Sequence, residues 1–168
     1  MTPPRPLGVL FLCTGNSARS QIAEAILTAK GRGRFRVGSA GTKPAERVNP
    51  GAVDVLGDHG IDWSGRRPKT IDEIQHEPWD LVITVCDNAK ETCPVFPGHP
   101  AFAHWGMPDP AAVEPAGARA RAFRETYQVL SRRIDLLLAL PLEKLEQRAM
   151  ELRVGSIAER PTAASGLS

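Results

Sequence analysis

The chain has 168 residues, enough for one domain with a substantial core. Its 42% hydrophobic and 24% charged residues are ordinary for a globular protein, and a net charge of +2 makes no case for a nucleic-acid or membrane partner. No run reaches the ~18 apolar residues of a membrane helix, and the N-terminal "MTPPRPLGVLFLCTGN" lacks a small-residue cleavage site, so no signal peptide is expected. The expected compartment is the reducing cytoplasm. There, three cysteines (Cys13, Cys86, Cys93) argue against a disulfide framework and leave nucleophilic or redox chemistry open.

In chain order, "LGVLFLC" (Leu7–Cys13) reads as a strand buried on both faces. "SQIAEAILTAKG" follows as a helix, with Ile22, Ala25, Ile26 and Ala29 at helical spacing and Gly31 as its stop. "RFRVGSAG" is a second strand ending near Ser39. "NPGAVDVLGDHG" is a helix capped by Asn49 with Pro50 in its first turn. "TIDEI" is a short helix capped by Thr70, "WDLVITVC" (Trp79–Cys86) a third strand, and "AFAHWGM" a fourth. A long amphipathic helix runs through "GARARAFRETYQVLSRRIDLLLAL" and stops before Pro141. Residues 1–140 are expected to form the domain; residues 141–168 form an extension, helical at first and disordered over its last ~10 residues. Strands alternating with helices predict an α/β fold, a parallel sheet of about four strands flanked by helices on both faces. Ligands of such sheets bind beyond the carboxyl ends of the strands, where Cys13 and Cys86 both fall.

The segment after the first strand, Cys13-Thr14-Gly15-Asn16-Ser17-Ala18-Arg19-Ser20, joins a strand to a helix through small residues. C-x5-R spacing alone is weak, and Cys13 read in isolation is a buried small hydrophobe. In a tight strand-to-helix loop the backbone N–H groups of Thr14 to Ala18 can converge on one point, forming an anion cradle at a helix N-terminus. Arg19 adds a two-pronged donor for a tetrahedral oxyanion. The same field favours the Cys13 thiolate, and Ser20 can donate to its sulfur.

"CTGNSARS" resembles the active-site loop of the low-molecular-weight protein tyrosine phosphatase superfamily, a likeness running from about Leu7 to Leu140. Two activities share it, phosphotyrosine hydrolysis and thioredoxin-coupled arsenate reduction. The Cys86 and Cys93 pair in "CDNAKETC" bears on the choice. A zinc site with His99 or His104, two unrelated thiols, and a redox relay all remain readings of that pair. The resemblance favours the relay. It implies that Cys13 attacks arsenate, Cys86 attacks Cys13, Cys93 attacks Cys86, and thioredoxin reduces the final disulfide. No metal or organic cofactor is implied, and phosphate or sulfate would mimic arsenate.

Asp109, before Pro110, stands where these phosphatases carry their general acid; its plain alternative is a turn former. The single tyrosine, Tyr127, falls in the long helix, so an aromatic substrate slot lacks its walls. In some coupled reductases the equivalents of Asn16, Glu24 and Ser39, with an aspartate, surround potassium; here the aspartate position carries Lys69, whose ammonium can stand in for the cation. Glu24 as a solvated helix residue, and Arg66 and Arg67 as a solvated loop rather than a steering or docking pair, are the plainer readings. A tyrosine phosphatase, a reductase drawing on glutaredoxin or a small thiol, and a non-catalytic oxyanion or redox sensor are the alternative functions.

Overall fold

The computed structural model describes residues 5–85 and 96–159. Its strands are β1 (Leu7–Cys13), β2 (Phe35–Gly41), β3 (Leu81–Thr84) and β4 (Ala101–His104). Its helices are α1 (Arg19–Gly31), α2 (Pro50–Asp58), α3 (Ile71–Ile74), α4 (Ala116–Leu138) and α5 (Gln147–Ile157). The four strands form one parallel sheet in the order β2-β1-β3-β4. Chain order reverses between β1 and β3, which opens a crevice beyond their carboxyl ends.

The apolar run of β1 is explained by burial on two faces. Val9, Phe11 and Cys13 join the larger cluster with Ile22, Ile26, Leu130 and Ile134 from α1 and α4, whereas Leu10 and Leu12 join Ile74, Trp79 and Val82 on the other face. Alternation along the strand therefore sets the Cys13 side chain on the α1 side. The expected caps form: Asn49 Oδ1 accepts from the Gly51 N–H at 2.9 Å, and Thr70 and Glu73 make a capping box.

Several boundaries differ from those expected. β2 continues to Gly41, in register with Cys13. β3 starts at Leu81; the Asp80 N–H before it donates to the Gly8 carbonyl at 2.8 Å, and its side chain accepts the Gly8 N–H at 2.7 Å and pairs with Arg5. β4 ends at His104; Trp105 N–H still reaches the Thr84 carbonyl at 2.7 Å before the chain leaves the sheet. Ala29, expected on the apolar face of α1, is exposed near its end. The extension from residue 141 contributes α5, whose Met150, Val154 and Ile157 are buried in the larger cluster. Glu151 of α5 accepts the Phe102 N–H of the edge strand β4 at 3.0 Å. No helix among the described residues is long and apolar enough to cross a membrane.

Candidate active site

Cys13 ends β1 at the crevice and is 3% exposed. Six successive backbone carbonyls from Cys13 to Ala18 all have partners outside the loop. The N–H groups of Thr42, Lys43, Ala45 and Asn49 donate to the carbonyls of Cys13, Thr14, Gly15 and Ser17 at 2.8–3.3 Å. Gln21 Nε2 donates to the Asn16 carbonyl at 3.1 Å, and the Ile22 N–H to that of Ala18 at 2.9 Å. The loop thus has its carbonyl acceptors engaged elsewhere, as an anion cradle requires.

Asn16 holds this shape. Its backbone sits at φ 48°, in the left-handed region, and its N–H donates to Cys13 Sγ at 3.2 Å. Its Oδ1 accepts from the Lys69 N–H at 2.8 Å and from Gln21 Nε2 at 3.1 Å. Its Nδ2 donates to Ser20 Oγ and Ser39 Oγ, each at 2.8 Å. Each hydroxyl accepts from Asn16 and so keeps its own proton to give away. Ser39 donates to Glu24 Oε1 at 2.5 Å; Ser20 lies 2.8 Å from Cys13 Sγ. A polar chain runs outward from one amide to two acceptors, the Glu24 carboxylate and the Cys13 sulfur. Both serines are completely buried, so the donor directions have no solvent alternative. Lys69 Nζ, 3.7 Å from Glu24 Oε1, supplies the cation at the far end.

Arg19 opens α1 with a side chain only 13% exposed. Its Nη1 donates to the Met107 carbonyl at 2.8 Å, and its Nη2 lies 3.9 Å from Asp109 Oδ2. A guanidinium has five N–H donors, so these contacts leave part of the fork to meet an anion. Asp109 is also the N-cap of a 3-10 turn, Pro110–Ala112, where Oδ1 accepts the Ala111 N–H at 2.9 Å. It both shapes a turn and faces Arg19.

The structure therefore gathers Cys13, Thr14 to Ala18, Arg19, Ser20 and Asp109 at one edge. Cys86 and Cys93 lie outside the described residues, and with them the relay and zinc readings of that pair; among the described residues no His, Cys, Asp and Glu cluster is placed to hold a metal. Sequence reasoning missed three contributors. Gln21 is buried and also accepts from Trp63 Nε1 at 2.8 Å. Gly41 faces the loop so closely that a Cβ would stand 2.4 Å from the Thr14 carbonyl. The Met107 carbonyl has no sequence signature at all. A glycine after a strand that meets a small-residue loop was the one available sign.

A buried cysteine at the carboxyl edge of a parallel sheet, followed by a small-residue loop that runs into a helix, defines the class of α/β protein. The chain matches the low molecular weight phosphotyrosine protein phosphatase family over residues 8–150 and belongs to it. It is 40% identical over 127 residues to an arsenate reductase of Brevibacillus brevis, a match covering 70% of this chain and 94% of that protein. A thioredoxin-dependent arsenate reductase of Corynebacterium glutamicum superposes with a TM-score of 0.64 at 26% identity, covering 90% of this chain and 65% of the other. A low molecular weight protein tyrosine phosphatase from T. tengcongensis superposes with a TM-score of 0.68 at 29% identity, covering 83% and 99%. The fold implied by the resemblance of the Cys13 loop is the fold observed.

Proposed function

We propose that this chain is a cytoplasmic arsenate reductase that returns to its reduced state through a three-thiol relay and thioredoxin. The reading rests on the Ser20 hydroxyl directed at the buried Cys13 sulfur, together with the naming of the curated relatives as arsenate reductases. The Cys13 thiolate attacks arsenic(V), a sulfur–arsenic bond forms, and an oxygen leaves as water after protonation by Asp109. Arg19 and the loop amides hold the remaining oxygens. The Cys86 thiolate then attacks Cys13 sulfur. The sulfur–arsenic bond breaks with its electron pair passing to arsenic, so arsenite departs and a Cys13–Cys86 disulfide remains. Cys93 attacks Cys86 and frees Cys13, and thioredoxin's dithiol reduces the Cys86–Cys93 bond.

Chain continuity supports the second step. The Val85 N–H donates to the Leu12 carbonyl at 2.9 Å, and Cys86 is the next residue, so the chain leaves β3 beside the end of β1. The test is arsenate-dependent NADPH consumption with thioredoxin and thioredoxin reductase. Cys86→Ala and Cys93→Ala should each lose multiple turnover while hydrolysis of a small aryl phosphate survives; full turnover by either variant overturns the relay.

Phosphotyrosine hydrolysis is the second reading, favoured by the likeness to the T. tengcongensis phosphatase. Against it, the only tyrosine, Tyr127, is buried and stacked on His59 with ring centroids 3.7 Å apart. It cannot serve as a wall for an aromatic phosphate without leaving that stack.

A further inference from the structure

We propose that Arg133, a residue of α4 outside the anion loop, is a positioning residue for Asp109. It acts by pinning the Trp105 carbonyl, so that the segment carrying the acid hangs between two arginines. The inference rests on the reading of Asp109 as the acid of arsenate reduction.

Arg133 Nη1 donates to the Trp105 carbonyl at 3.2 Å, and two residues further on Arg19 Nη1 donates to the Met107 carbonyl at 2.8 Å. Trp105 is completely buried and fixed at two other points. Its N–H reaches the Thr84 carbonyl at 2.7 Å, and its Nε1 reaches Val154 of α5 at 2.9 Å. Beyond Met107 the sequence is Pro108-Asp109-Pro110, whose rings restrict φ on both sides of the acid. A displacement at Met107 is therefore carried to Asp109 rather than absorbed before it. Packing from the α4 side holds this segment only in part: Met107 and Pro110 are buried, but the contact is incomplete. A cavity of about 230 Å³ lies there, lined by Met107, Pro108, Asp109 and Pro110 and by Ala122 and Val129 of α4.

Arg133 is costly where it stands. Its Nε is buried with no hydrogen-bond partner among the described residues, and burial pushes its pKa down, although a guanidinium stays protonated. An apolar side chain would fill the same volume without that cost. A directed donor at the Trp105 carbonyl is what the arginine adds.

The experiment is a double-mutant cycle on the full chain with Arg133→Met and Asp109→Asn, read in the thioredoxin-coupled arsenate assay. Arg133→Met should lower kcat about tenfold with KM within about twofold. In the Asp109→Asn background the same change should alter kcat by less than about twofold, because the residue acts through the acid. Losses that multiply across the cycle, or a loss confined to KM, overturn the proposal; the latter would mean that Arg133 contributes only positive field to anion binding. Amide exchange provides a readout independent of function. The N–H groups of Trp105, bonded to Thr84, and of Ala111 and Ala112, bonded to Asp109, should exchange about tenfold faster in Arg133→Met while those of α1 stay unchanged, and unchanged exchange at these three overturns the proposal. If wild type reduces no arsenate, the functional reading fails, and the exchange result alone decides the role of Arg133. Should Arg133→Met not fold, Arg133→Gln, which retains an N–H donor without the charge, replaces it; the same exchange at Trp105, Ala111 and Ala112 as in wild type is then expected, and exchange about tenfold faster overturns the pin.

Discussion

Asn16 Nδ2 donates to Ser20 Oγ at 2.8 Å, and this contact decides where the Ser20 proton goes. With its lone pair engaged by Asn16, the hydroxyl has the sulfur of Cys13, 2.8 Å away, as the acceptor for its own hydrogen. A donor at that place stabilises a thiolate over a thiol. Ser20→Ala should raise the midpoint of Cys13 alkylation by iodoacetamide about one pH unit. A pH series of alkylation rates checks it, and an unmoved midpoint would remove Ser20 from the activation of Cys13.

Asn16 is completely buried and satisfies five side-chain or carbonyl contacts at once, with Ser20, Ser39, Gln21 and Lys69 as partners. Asn16→Ala removes the four contacts made by the side chain, keeps only that of the carbonyl, and places alanine in the left-handed region. Unfolding stability should fall by about 2–4 kcal/mol, measured by denaturant titration.

Gly41 permits the close approach of β2 to the loop. In Gly41→Ala the new methyl would meet the Thr14 carbonyl at 2.4 Å and the Asn16 nitrogen at 3.0 Å. The loop must shift, so phosphate affinity, measured by calorimetry, should fall about tenfold or more. A change of less than twofold would show that the loop relaxes freely.

Lys69 and Glu24 form the charged end of the polar chain, with side-chain exposures of 24% and 7%. Lys69→Ala strands a buried carboxylate, and stability should fall by about 1–3 kcal/mol. The variant should then melt higher in potassium chloride than in choline chloride at equal ionic strength. Wild type, which carries its own ammonium there, should melt alike in both. A wild-type preference for potassium would contradict the substitution of lysine for a bound cation.

Glu73 accepts from Arg67 Nη2 at 2.5 Å and from the Thr70 N–H at 2.7 Å, and these contacts lower its pKa from 4.5 to about 2. A carboxyl depressed in the folded state stabilises above its unfolded pKa, and that contribution is lost as pH falls through the folded value. The Tm difference between wild type and Glu73→Gln should therefore be full at pH 7 and shrink between about pH 4.5 and 2. A difference constant across that window would exclude the Arg67 contact as its source.

Local pattern alone determined much of this protein. The period of apolar residues located β1, α1 and α4, and the side chains of Asn49 and Thr70 marked two helix starts, because caps and periodicity are properties of neighbouring residues. Small residues between a cysteine and an arginine located the strand-to-helix loop after Cys13 for the same reason. Tertiary structure decided what depends on distant segments. It extended β2 to Gly41, cut β4 at His104, and brought Thr42 to Asn49 alongside the loop to collect its carbonyls. It also set the Met107 carbonyl on Arg19 across a separation of 88 residues. A backbone carbonyl is the same group in every residue, so no sequence pattern marks the one that will hold an arginine. Only the order β2-β1-β3-β4, which lays the ends of β1 and β4 along one edge, made that contact and the position of Asp109 definite.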